Sequence, residues 1–81
     1  MYQIASVKPL DNYVLQVIFT NGEKRYKDIK ELLQKPVFQP LCNKAVFEQV
    51  KVINGAISWV MDDGLEVDLC PDNTYFTSSA D

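Results

Sequence analysis

The chain has 81 residues, a net charge of −3 and no histidine; 47% of its residues are hydrophobic and 23% charged. That length suits one domain and that composition excludes disorder, but a domain so small buries only about 60–65% of its unfolded surface. No basic start with an unbroken apolar run opens the chain, and no apolar run is long enough for a bilayer, so a cytoplasmic location without membrane contact is expected.

Residues 2–8 and 13–20 read as strands separated by the turn-forming cluster Leu10-Asp11-Asn12. Alternation puts Tyr13, Leu15, Val17 and Phe19 on one face of the second strand and Val14 and Ile18 on the other, which suits a central strand. Asn21-Gly22 predicts a type I′ hairpin into a third strand, Glu23 to Lys27. Only Tyr26 there is substantially apolar, and three basic residues accompany it, as fits a sheet edge protected from stray pairing.

Asp28 then predicts a helix N-cap, with Glu31 completing a capping-box pair. Ile29, Leu32 and Leu33 share a face of a helix over 28–34, and Lys35-Pro36 stops it. Val37, Phe38 and Leu41 follow in a segment bounded by prolines that should close over the core. Asn43 caps a second short helical turn near 43–48, anchored by Phe47. Residues 50–53 and 56–61 form another hairpin about Asn54-Gly55, with Trp59 in the core and its indole N–H bonded. Asp62-Asp63-Gly64 is a further turn, and Leu65, Val67 and Leu69 alternate beyond it with Glu66 and Asp68 on a wet face. Pro71 opens a helical turn running to Tyr75, and residues 77–81 are expected to fray. The fold class is thus α+β: one domain over 1–81, mainly an antiparallel sheet of about five or six strands with a short helix on a face.

Chemistry is argued mostly by absence. Without histidine the commonest general acid or base is missing, and so is the usual activator of a serine or cysteine nucleophile. Cys42 and Cys70 lie 28 positions apart and read as small, reduced core or near-core residues, although a single long-range disulfide stays open. No CxxC pair supports zinc, no glycine-rich phosphate loop is present, and the acids Asp62, Asp63, Glu66, Asp68 and Asp72 lack the order of a calcium loop. No catalytic residue, metal ligand or cofactor site is assigned. Charge, however, is uneven. Residues 1–35 carry a local +2 and residues 36–81 a local −5. The basic set Lys24, Arg25, Lys27 and Lys30 and the acidic set Asp62, Asp63, Glu66 and Asp68 are therefore the candidate interaction residues.

The runs Phe19-Thr-Asn-Gly22-Glu23, Tyr26-Lys-Asp28-Ile29, Leu32-Leu33 and Pro36-Val-Phe38, with Leu41 and Phe47, resemble a small bacterial family, domain of unknown function 2442. Ile57-Ser-Trp59, Asp68-Leu69, Pro71-Asp72 and Tyr75-Phe76 are similar to its closing motif. Two features depart from it: Val60 to Asp63 follow Trp59 where the family often has proline and a shorter run, and Thr74 replaces a common leucine before Tyr75. The resemblance implies a small antiparallel α+β domain and no particular activity. In some relatives a helix-turn-helix domain is appended, which is not expected within these 81 residues, and others are encoded beside a second small protein in toxin–antitoxin-like pairs. It points to a non-catalytic interaction module that binds another protein or itself, as one partner of such a two-protein cassette. The alternative is a nucleic-acid-associated regulator using the Lys24–Lys30 patch, although an overall acidic chain makes direct nucleic-acid contact poor. An enzyme ranks last.

Overall fold

The computed structural model describes residues 1–61 and 64–80. Six antiparallel strands are divided between two three-stranded sheets, each a meander in chain order. The first contains β1 (Ile4–Leu10), β2 (Val14–Phe19) and β3 (Lys24–Asp28); the second contains β4 (Lys51–Ile53), β5 (Ala56–Val60) and β6 (Glu66–Leu69). Between them lie two 3₁₀ segments, Leu32–Gln34 and Pro36–Cys42, and a one-turn helix α1 (Lys44–Phe47). Helix α2 (Pro71–Thr77) follows β6.

As the alternation predicts, β2 is central, paired with β1 and β3. Leu15, Val17 and Phe19 are buried, while Val14 and Ile18 on the other face are half-buried. A bulge between Ile4 and Ser6 changes the parity of β1. Ile4 therefore points into the core, and so does Val7 three residues later, which an uninterrupted strand forbids. The Ile4 amide donates to the Gly55 carbonyl at 2.9 Å, drawing the start of the first sheet onto the β4–β5 hairpin.

That second hairpin is a type I′ turn, with Asn54 and Gly55 at φ 53° and 78°. The first is different. Only Gly22 is left-handed there, its amide donating to the Phe19 carbonyl, while Phe19 receives its own partner in the Glu23 carbonyl. A three-residue loop ending in a left-handed glycine replaces the two-residue turn expected at Asn21-Gly22. The Asn21 side chain favours this by accepting from the Glu23 amide at 2.9 Å.

The helix expected over 28–34 is corrected to a 3₁₀ turn at Leu32–Gln34. Two competing bonds explain it. Asp28 stays in β3, paired with Val14, and the Ile29 amide donates to the Tyr13 carbonyl, so neither residue is free to begin a helix. Asp28 still behaves as a local cap, its Oδ1 accepting from the Lys30 amide at 2.9 Å. Ile29 is fully buried and Leu32 and Leu33 half-buried, so the apolar face is used as predicted, without the α-helix. Asn43 caps α1 through the Ala45 amide, and Phe47 is buried.

The core lies between the sheets, closed by these helical turns: Ile4, Leu15, Val17, Phe19, Ile29, Leu41, Phe47, Ile57, Trp59, Met61 and Val67. Trp59 is fully buried and its Nε1 donates to the Phe47 carbonyl at 3.0 Å, fixing α1 over the second sheet. The expected fraying of the tail is corrected for Thr77 to Ser79. Ser79 exchanges both backbone bonds with Tyr26, at 2.7 and 2.9 Å, on the outer edge of β3. Asp62 and Asp63, expected at a turn, lie outside the described residues, as does Asp81.

Ile29 and Leu33 separate core from margin. Ile29→Ala is expected to destabilise the domain by about 2–5 kcal/mol, and Leu33→Ala by less, because its side chain is only half covered. Urea denaturation midpoints at constant m-value check the order, and an equal loss at both sites would contradict it.

Candidate functional site

The candidate site begins with where the sequence places charge on β3. In register, Arg25 lies opposite Val17 and Lys27 opposite Leu15, so both project from the core face of the sheet. Lys24 and Tyr26 project from the other face. The four-residue basic set is therefore not one patch.

Arg25 is the most engaged of them. Its side chain is 18% exposed, its Nη1 bonds Glu23 Oε2 at 2.7 Å, and its Nε and Nη2 donate to the hydroxyl and carbonyl of Ser78, each at 2.8 Å. The guanidinium carbon lies 4.4 Å from the centroid of the Tyr75 ring. Tyr2 stacks on the same ring at 3.8 Å and 9°. Two such close neighbours require opposite faces, so Tyr75 is sandwiched. The Tyr75 hydroxyl in turn donates to Glu23 Oε1 at 3.0 Å. Lys27 Nζ donates to Thr77 Oγ1 at 2.9 Å, and Lys30 Nζ meets Asp28 Oδ2 and the Asn12 carbonyl, each at 3.0 Å. Among the described residues only Lys24 of the four lacks such a partner.

These contacts move the titrations. The Arg25 hydrogen bond foremost, helped by Tyr75, holds the Glu23 carboxyl below its ordinary value of 4.5. The Lys30 amide does the same for Asp28 from 3.8. The Glu23 hydrogen bond raises the Tyr75 phenol above 10.0.

Of the acidic set, Glu66 and Asp68 lie exposed on β6, with Val67 buried behind them, as predicted. Asp62 and Asp63 lie outside the described residues, so the structure places half of this set. Among the described residues no group of three or more His, Cys, Asp or Glu side chains is gathered to hold a metal. Cys42 and Cys70 are free thiols, as read, with no disulfide between them, but both are exposed, which corrects their placement in or near the core. Leu41 takes the inward position at the end of its 3₁₀ segment, and Cys70 sits at the exposed entry to α2.

Sequence reasoning missed an aromatic ledge. Phe76 is 73% exposed, its ring nearly perpendicular to both Tyr2 and Tyr75 at 5.8 and 5.6 Å. The signal was present in α2: Pro71, Thr74, Tyr75 and Ser78 form the i, i+3, i+4, i+7 stripe that packs inward, and Phe76 falls outside it. The ring is unsheltered.

Two small antiparallel sheets, a core closed by short helical segments and a tail pinned to β3 define an α+β domain. The chain belongs to the family described as Protein of unknown function (DUF2442), whose model matches residues 4–78. No curated protein and no solved structure matches the chain. No described helix is long and apolar enough to cross a membrane.

The Glu23 and Asp28 shifts set an acid limb. Both folded values lie below the unfolded ones, so their stabilisation is complete above about pH 4.5 and is lost as pH falls through the folded values. Glu23→Gln is expected to flatten the decline of the thermal midpoint over that window, and Asp28→Asn to remove a further part. An unchanged acid limb in the double variant would show that neither carboxylate is coupled to folding.

Proposed function

We propose that this domain is a non-catalytic interaction module, working without cofactor in the bacterial cytoplasm. It binds another protein, the second member of a two-protein, toxin–antitoxin-like cassette, or a second copy of itself. The observation that carries the reading is Phe76. A large ring, 73% exposed and braced by two tyrosines, is a rigid apolar anchor with little side-chain entropy left to lose on binding. The Tyr2 and Tyr75 rings packed against it support the reading by holding the Phe76 ring in one position. Two exposed free thiols suit a reducing compartment.

The alternative, nucleic-acid binding through Lys24 to Lys30, draws less support. Arg25, Lys27 and Lys30 are already bonded within the domain, and phosphate would have to compete with those bonds on a chain of net charge −3. Reversing Arg25 would break its part-buried bonds to Glu23 and Ser78, whereas Lys24→Glu changes surface charge alone.

Phe76→Ser is expected to weaken the complex at least about tenfold while changing stability by no more than about 1 kcal/mol. Affinity purification at native levels, with mass spectrometry of protein and nucleic acid, supplies the partner; an isotherm with it, or sedimentation equilibrium for self-association, measures the effect. Lys24→Glu and added salt should have the smaller influence. Unchanged affinity in Phe76→Ser would remove the ledge from the interface, and recovery of nucleic acid in place of protein would favour the alternative.

A further inference from the structure

The turn between β1 and β2 carries two consecutive non-glycine residues in left-handed conformation, Asn12 at φ 62° and Tyr13 at φ 59°. Asparagine tolerates this region, whereas an aromatic residue crowds its own backbone there, so surrounding contacts must sustain it. Three hydrogen bonds do so. The Tyr13 carbonyl accepts from the Ile29 amide at 3.0 Å, the Asn12 carbonyl accepts from Lys30 Nζ at 3.0 Å, and the Tyr13 hydroxyl donates to the Cys42 carbonyl. The Tyr13 ring consequently stands edge-on to Phe47, with centroids 5.3 Å apart.

The two rings and Leu10 wall a concavity of about 560 Å³, rimmed by Asp11, Asn12, Lys30 and Lys44. That size lies within the usual span of small-molecule sites, about 300–1,000 Å³. Its polar and charged groups come from three separated segments of the chain.

The lysines differ in a useful way. Lys30 is held in place by the Asn12 carbonyl and Asp28 Oδ2, which use two of its three N–H donors. The third is left over, on an ammonium already positioned. Lys44 has only a loose pairing, 3.9 Å to Asp11, whose side chain is 93% exposed. An incoming anion would displace a weak contact there, not a formed bond. Asp28 and Asp11 already balance the two lysines, so a single negative group is accommodated only by taking the loosely held Asp11 carboxylate's place at Lys44, and a second negative charge would be repelled.

We propose that this concavity binds a small organic monoanion, a carboxylate on a compact apolar body, with the body against Leu10 and the Tyr13 ring that covers buried Phe47, and the carboxylate between Lys30 and Lys44. The competing explanation is that left-handed Tyr13 only clamps the turn onto α1, in which case the cavity selects nothing.

Amide-resolved NMR titration of the full chain separates the two, with benzoate, benzamide and inorganic phosphate as probes. Benzoate should give saturable shifts at Asn12, Tyr13, Lys44 and Phe47. Benzamide, alike in shape but uncharged, should bind about tenfold more weakly, as should phosphate above pH 7, where the dianion predominates. Lys44→Met, at an exposed position, should leave the spectrum folded and raise the benzoate dissociation constant about tenfold without altering that of benzamide. Lys30→Met should show the same selectivity. Equal binding of benzoate and benzamide, benzoate shifts centred elsewhere, no saturation with benzoate, or indifference to both lysine substitutions would each overturn the proposal.

Discussion

The Arg25 guanidinium is the constraint around which the rest of this domain is arranged. It sits on the core face of an edge strand, where an arginine without partners would carry a heavy desolvation cost. Glu23, two residues earlier, supplies the countercharge; Ser78 supplies a hydroxyl and a carbonyl; Tyr75 supplies a ring face. Satisfying Arg25 therefore fixes the position of residues 75–78, and Ser79 then falls into register with Tyr26. One inward charge ties the last helix to the first sheet and covers part of an open strand edge. Aggregation through that edge and loosening of the helix are thus opposed by the same set of bonds.

This arrangement also explains which features were legible in the sequence. Those governed by local rules were: central β2 from its two apolar faces, the Asn54-Gly55 turn from its glycine, the Asn43 cap, and Trp59 in the core with its N–H bonded. The failures share a cause. The 28–34 helix had a cap, a stop and an apolar stripe, but Asp28 and Ile29 gain more from pairing with Val14 and Tyr13, partners remote in the chain. Propensity is a weak prior against such bonds. A sheet split in two between β3 and β4 leaves no mark on the residues of either half. The proximity of Tyr2 to Tyr75 depends on the whole topology, and with it the ledge.

Charge shows the same distinction between sequence and space. The basic excess of residues 1–35 looks like a surface that repels or attracts as a block. In the folded domain Arg25 is spent on Ser78 and Glu23, Lys27 on Thr77 and Lys30 on Asp28 and Asn12. The exposed acids Glu66 and Asp68 have no comparable engagement with β3. The basic excess of residues 1–35 is thus taken up by acids of that same segment and by neutral groups of the tail, while Glu66 and Asp68 stay exposed. Charges that bring an interface together raise association rates and respond to salt; charges already paired do neither.

A consequence concerns the coupling of binding to folding. The aromatic ledge is built from Tyr2, before β1, and from Tyr75 and Phe76 in α2, so it exists only while α2 is docked on β3. Docking depends on the Arg25 bonds, and an 81-residue domain has little stability to spare. A partner seated on Phe76 would bind only the docked state and would stabilise the whole domain by mass action, in proportion to the logarithm of its concentration over its dissociation constant. The reverse also follows by linkage. Whatever weakens the Arg25–Ser78 contact lowers the fraction of molecules presenting the ledge, and apparent affinity falls even though no residue of the interface has changed. In a domain of this size the proposed interaction surface and the docking of α2 therefore share one structural element, with Tyr75 belonging to both.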